Sequence, residues 1–305
     1  MQNYDVIAIG STLVDIFIES NEFAVKKTVN GLMLCELLGD KIEVDKFTMT
    51  SGGGASNAAV GFVRQGFQTA IISEMGKDTL AEKVLRDLQD EKVVTRYVVQ
   101  EKREETGMSV ILVVADGRRT VLVHRAAASM LEKKDINWRL VEQSKWVHLT
   151  NVSGQKDLME KLFSVVGGDH DPGLSWNPGK SDIKLMAEYK LSVPKDTIDI
   201  LFVNEEEWSL SKPVQVALKD RIRQIIITNG NKGGRIILQG KEYCKYNVDH
   251  TNTVEVTGAG DAFAVGYVSA HLSGGDVDAC LKLAKKNSAS VVQYVGAKKG
   301  LLKKT

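Results

Sequence analysis

From about Asn57 onward the chain alternates short apolar runs with stretches of helical period. That alternation restricts it to an α/β layer fold on a mostly parallel sheet. Apolar runs bounded by glycine or polar residues suit strands covered on both faces. Residues 4–10 (YDVIAIG), 69–75 (TAIISEM), 145–150 (KWVHLT), 199–203 (DILFV) and 224–228 (QIIIT) are read as such strands. Residues 57–65, 79–90, 156–166, 259–273 and 276–295 are read as helices. In 79–90 the apolar stripe is Leu80, Val84, Leu85 and Leu88.

Three further segments, 41–47, 107–115 and 119–124, have a different character. The last two flank Asp116-Gly117-Arg118, and Asp-Gly between β-rich runs is a hairpin signal. They predict a small, mainly antiparallel sheet apart from the main core. Because they interrupt the α/β text, the expectation is one domain over residues 1–305. Lid strands would be inserted at about 12–50 and 96–125.

Forty basic and thirty-nine acidic side chains leave a net charge of +1, and no basic tract suggests a nucleic-acid partner. No apolar run approaches the ~20 residues of a membrane span. Residues 1–10 read as a strand entered directly, without a signal peptide. Cys35, Cys244 and Cys280 are odd in number, widely spaced and outside any Cys/His cluster. Reduced, mostly buried thiols in a cytoplasmic protein are expected.

The strongest local signal is Thr257-Gly258-Ala259-Gly260-Asp261-Ala262-Phe263, which runs into a small-residue apolar helix. Small residues before a helix let successive backbone N–H groups converge, and the helix dipole adds positive charge there. A lone Asp in a first turn is ordinarily a cap. Here it follows a run suited to an anion, where a carboxylate could take a proton from an attacking hydroxyl. No Gly-x-Gly-x-x-Gly follows the first strand, and no Gly-x-x-x-x-Gly-Lys-Ser/Thr occurs. Dinucleotide oxidoreductases and P-loop kinases are therefore disfavoured.

This segment resembles the Asp-Thr-x-Gly-Ala-Gly-Asp hallmark of the ribokinase-like (PfkB) carbohydrate kinases. The resemblance implies a three-layer α/β sandwich with a mostly parallel central sheet and a small inserted β-sheet lid. It implies an ATP-dependent kinase that transfers the γ-phosphoryl group to a hydroxyl of a sugar or sugar-like molecule. Asp261 would be the catalytic base, and Gly258, Ala259 and Gly260 the anion hole. Glu255 and Val256 replace the hallmark's Asp and Thr. The first Asp helps bind a monovalent cation in many members, so activation by such a cation stays open.

Other pieces match in order. Ser51-Gly52-Gly53-Gly54-Ala55-Ser56-Asn57 resembles the family's Gly-Gly-x-x-x-Asn, with Gly54 where ribokinases commonly carry lysine. Gly52, Gly53 and Asn57, with Asp15 after the first strand, would bind substrate. Asn204 and Glu207 match Asn-x-x-Glu, which organises Mg²⁺ and phosphate; magnesium keeps waters and few carboxylates. Thr228, Gly230 and Gly233 match the Thr-x-Gly-x-x-Gly nucleotide loop, and Asn287 the adenine pocket. Trp176-Asn177-Pro178-Gly179 resembles a segment at the base of the same cleft.

Three alternatives remain. A nucleoside kinase of the same fold would line its base pocket with aromatics, whereas the lid text offers mostly Val, Leu and Met. A phosphosugar kinase needs cations, which Arg103, Arg118, Arg119 and Arg125 could supply, although Val60 stands where phosphofructokinase-like relatives place arginine. A catalytically silent member is the third. The partner is expected to be a small sugar or nucleoside, and the assembly a monomer or a homodimer through the lid.

Overall fold

Strands buried on both faces should send alternate side chains into two different cores. The computed structural model, which describes residues 3–29, 31–101, 103–167 and 172–304, has this arrangement. In β1 (Val6–Ile9) all four residues are buried. Val6 and Ala8 pack to one side, Ile7 and Ile9 to the other. Met1 and Gln2, the start of the first expected strand, lie outside the described residues.

β2 (Leu13–Ser20), the hairpin β3 (Ala24–Thr28) and β4 (Gly31–Cys35), and β5 (Lys46–Gly52) follow, ahead of α1 (Gly54–Arg64). Next come β6 (Thr69–Ile72), β7 (Glu74–Met75), α2 (Thr79–Asp90), β8 (Val99–Gln100), β9 (Met108–Val114) and β10 (Arg119–His124). α3 (Trp138–Glu142), β11 (Trp146–Leu149), α4 (Lys156–Phe163), β12 (Gly173–Trp176) and α5 (Lys180–Ala187) continue the chain. β13 (Ile200–Asn204), α6 (Glu205–Leu210), α7 (Gln215–Arg221) and β14 (Gln224–Thr228) lead to β15 (Gly234–Leu238) and β16 (Lys241–Tyr246). α8 (Ala259–Leu272) and α9 (Val277–Val291) complete the order.

The large sheet has the order β16-β15-β14-β13-β12-β11-β1-β6. It is parallel from β14 to β6, with β15 and β16 added antiparallel. Helices α1, α2, α8 and α9 bury apolar residues such as Phe62, Val84, Val265 and Ala284 on one face. On the other, α3 to α7 contribute Val141, Leu162, Ile183, Trp208 and Leu218. The expected three-layer sandwich is therefore observed. Among the described residues, no helix is long and apolar enough to cross a membrane.

A second sheet, in the order β10-β9-β2-β5, stands over the edge of the first. β9 and β10 form the hairpin expected at Asp116-Gly117-Arg118, but β2 and β9 run parallel, so the sheet is mixed. Three expectations need correction. The strand placed at 41–47 lies instead at Lys46–Gly52, because its register is set by pairing with β2 (Lys46 opposite Glu19, Gly52 opposite Leu13). β2 lies within the span expected for lid strands, about 12–50, and is an eight-residue strand largely buried, so its alternation is blurred. The run 69–75 divides at Ser73, where β7 leaves to pair with β8. Helix α9 stops at Val291 rather than residue 295, and the Val292 carbonyl accepts from the N–H groups of Val254 and Glu255.

Candidate active site

α8 begins in an unusual way. Its N-cap, Gly258, has φ +77°, and an added Cβ would lie 2.2 Å from the Ala297 Cβ, so only glycine fits there. The Ala262 N–H donates to the Gly258 carbonyl and the Ala259 N–H to the Val256 carbonyl. The N–H groups of Gly260 and Asp261 find no acceptor among the described residues. Two unpaired donors at the positive end of a fourteen-residue helix suit an anion. Beside them, nothing lies within 4 Å of where a Gly260 Cβ would be, which leaves room for a ligand.

Asp261, half-buried, is held from two other loops. Asn57 Nδ2 donates to its Oδ2 at 2.8 Å and Asn177 Nδ2 to its Oδ1 at 3.1 Å. Burial pushes its carboxyl up to about 6, while Asn57, the Lys298 ammonium and Asn177 pull the other way. A carboxylate titrating close to neutrality is well matched to proton transfer.

Asp15 projects from β2, 5% exposed. Its carboxyl is likewise raised to about 6 by burial, against a Ser109 hydrogen bond and the Lys298 charge; Glu255 and Asp261 push it further up. Ser109 and Thr50 flank it across the sheet. An added Cβ at Gly52 would come within 1.9 Å of Asp15 Oδ2, so glycine admits the carboxylate against the strand. Gly53 caps α1 and, with Asp15, Asn57, Gly258 and Asp261, lines one cleft of about 380 Å³.

Glu207 reaches the same cleft. It forms a capping box with Asn204: the Asn204 N–H donates to Glu207 Oε2 and the Glu207 N–H to Asn204 Oδ1, each at 2.8 Å. Burial raises its carboxyl. Asn204 lies outside the cleft lining, paired in register with Thr228. Thr228, Gly230 and Gly233 therefore extend the same sheet edge one strand further, in a turn closed by the Asn229 N–H on the Gly233 carbonyl at 2.7 Å. Among the described residues, no group of three or more His, Cys, Asp or Glu side chains is placed to hold a metal.

Asn287 does not join this group. It is 1% exposed, its Nδ2 donates to the Ala262 carbonyl at 2.7 Å, and its Oδ1 accepts from the Leu302 N–H at 2.9 Å. Its amide ties α9 and the C-terminal segment to α8 rather than facing a nucleotide.

Of three further residues, Lys298 carried no signal in the sequence, while Arg119 and Glu255 stood there only as a lid cation and as a departure from the hallmark. Arg119 of β10 pairs with Glu255 at 3.0 Å. Glu255, 4% exposed, also accepts from the Thr257 N–H and hydroxyl, while its buried Oε2 has no partner among the described residues. Lys298 lies behind β5 and donates to Ser51. A larger cavity of about 550 Å³, between the β3–β4 hairpin and residues 253–256, contains neither Asp15 nor Asp261.

Comparison with known proteins follows the same lines. The model of the pfkB family of carbohydrate kinases matches residues 5–304. An ATP-dependent 6-phosphofructokinase of Thermoanaerobacterium thermosaccharolyticum is 26% identical over 315 residues, covering 97% of this chain and 90% of its own length. A deoxyribokinase of Salmonella typhi is 25% identical over 294 residues, with coverage of 92% and 90%. The solved nucleoside kinase of Methanocaldococcus jannaschii shares the fold with a TM-score of 0.79 at 21% identity, over 98% of this chain and 95% of that one.

Proposed function

The chain belongs to the pfkB family of carbohydrate kinases, and on that premise we propose that it transfers the γ-phosphoryl group of ATP to a sugar hydroxyl in the cleft around Asp261. One observation carries the assignment of the cleft. A near-neutral carboxylate stands beside two unpaired helix N–H groups and is aimed by amides from two other loops.

In this reading the acceptor hydroxyl is gripped by Asp15 and the buried Asn57 Oδ1, which has no donor among the described residues. As the new O–P bond forms and the bond to the leaving ADP oxygen breaks, the hydroxyl proton passes to Asp261. The Gly260 and Asp261 N–H groups stabilise the charge on the transferring group. Thr228, Gly230 and Gly233 would hold the remaining phosphates. Glu207 Oε1 has no partner among the described residues, which fits a water-mediated Mg²⁺ role together with Asn204. Magnesium bound there would neutralise phosphate charge.

The second sheet acts as a lid on a single domain, with Val121 and Val123 facing the cleft and excluding water. Among the described residues no Phe, Tyr or Trp lines the cleft, which favours a sugar over a nucleoside. Arg125 in the lining supports a second reading, a phosphorylated sugar. Three free thiols suit a cytosolic setting. Phe47 and Leu122, exposed on the lid, suit either a monomer or a lid-to-lid pair.

The test is ADP release against sugars, their phosphates and nucleosides, with Asp261→Asn alongside. The variant should lose about 10²–10⁴-fold in kcat while still binding ATP. Undiminished turnover would remove Asp261 from the role of base.

A further inference from the structure

Three consecutive residues near the C-terminus touch three parts of the site. A Cβ at Gly296 would meet Thr50 at 3.3 Å, next to Asp15 in register. Ala297 packs on Gly258, the N-cap of α8. Lys298 Nζ donates to the Ser51 carbonyl at 2.6 Å and to Ser51 Oγ at 2.9 Å. Ser51 pairs with Val14, so its side chain lies on the opposite face of the sheet from Asp15. The ammonium thus stands behind the floor of the cleft, and the Arg64 guanidinium fixes the Lys298 carbonyl at 2.6 Å.

We propose that Lys298 is a positioning residue of the phosphoryl transfer. Its ammonium keeps Asp15 and Asp261 ionised from behind the substrate floor, while residues 296–298 clamp the lid root to the anion site. This rests on the assignment of Asp261 as base. The charged groups around the ammonium are Asp15 on β2, Asp261 on α8, and Asp87 and Glu91 at the end of α2. Asp87 is paired with Lys83, and Glu91 with Arg64 and close to Lys303, so the two cleft carboxylates are the acids without a cation of their own. Burial brings the lysine down to about 7 against those four acids, and Lys298 in turn lowers both Asp15 and Asp261. Near neutrality the ammonium and the carboxylates are therefore poised together.

The experiment is the pH profile of kcat/KM from 5 to 9 for wild type, Lys298→Met and Lys298→Arg, using the best acceptor from the panel. Wild type should rise through about 6 as Asp261 ionises and fall above about 7 as the lysine loses its proton. Lys298→Met should move the acid limb up by about one unit, a loss of about threefold at pH 6.5 that approaches tenfold at pH 5 and closes toward pH 9. Lys298→Arg, which does not titrate in this range, should keep the acid limb and abolish the alkaline one. A uniform loss in Lys298→Met with both limbs in place would reduce Lys298 to a structural part and overturn the proposal. Should Lys298→Met fail to fold, Ser51→Ala, which removes one of the two acceptors, should shift the alkaline limb in the same experiment; an unmoved limb counts against the proposal. If wild type turns over no acceptor, the kinase reading of the cleft fails by itself. Carbon-13 titration of aspartate carboxyls then tests Lys298 without turnover: an unchanged Asp261 titration in Lys298→Met overturns it.

Discussion

The amide of Asn57 donates its Nδ2 to Asp261, while its Oδ1, buried, has no donor among the described residues and remains for an incoming hydroxyl. Asn57 was read from the sequence as a substrate ligand, and the tertiary structure adds a second contact, which orients the Asp261 carboxyl proposed as the base. A hydrogen bond to a charged group is worth about 1.5–3 kcal/mol, so Asn57→Leu should cost about 10–10²-fold in kcat/KM. It should also raise the pH at which activity appears, since Asp261 loses a donor that favours its ionised form. Steady-state rates between pH 5 and 8 check both effects; a fall in acceptor affinity alone, with the acid limb unmoved, would leave Asn57 only its ligand role. The motif at 257–261 was legible because it is local: small residues, a helix start and an acid within five positions. Glu255 was legible only as a departure from a pattern, because its partner Arg119 stands on another sheet.

At the scale of elements, that ion pair joins β10, in the sheet proposed as a lid, to the loop that opens α8. Arg119 is partly exposed and Glu255 buried, with one oxygen bonded to Thr257 and the other without a partner among the described residues. Removing the arginine alone strands a buried carboxylate, whereas removing both charges does not. A double-mutant cycle of Arg119→Ala and Glu255→Gln in urea melts should therefore show a coupling of about 1–3 kcal/mol; additive losses would mean that the lid and the loop are not energetically joined. The elements themselves divide by how locally they are specified. α2 matched its expected bounds because its stripe of Leu80, Val84, Leu85 and Leu88 meets the core at helical period and Asp78 caps it, accepting from the Ala81 N–H at 2.8 Å. β5 did not, because it is an edge strand whose ends are set by its pairing with β2; β2 itself, wedged between β5 and β9 and largely buried, shows no clear alternation.

For the molecule as a whole, a further buried acid sets how stability varies with pH. Glu74 of β7 is 4% exposed, its Oε2 has no partner among the described residues, and burial together with Asp135, Glu101 and Glu132 raises its carboxyl to about 7. Its folded-state value lies above its unfolded one, so its contribution is present in acid and is lost as pH rises through about 7. Glu74→Gln should raise the melting temperature at pH 8 and leave it nearly unchanged at pH 5; an equal shift at both would assign the effect to packing. The three layers were readable in advance, since apolar runs and helical stripes record burial over a dozen residues and β1, β13 and β14 could only be covered on both faces. The proposed anion site and its acid were readable for the same reason, being contained in one helix start. Only the tertiary structure decided which groups serve that acid. Asp261 meets partners 204 and 84 positions away, and Lys298 meets Ser51 across 247. Such pairings depend on the order in which strands lie side by side, and local periodicity does not encode that order.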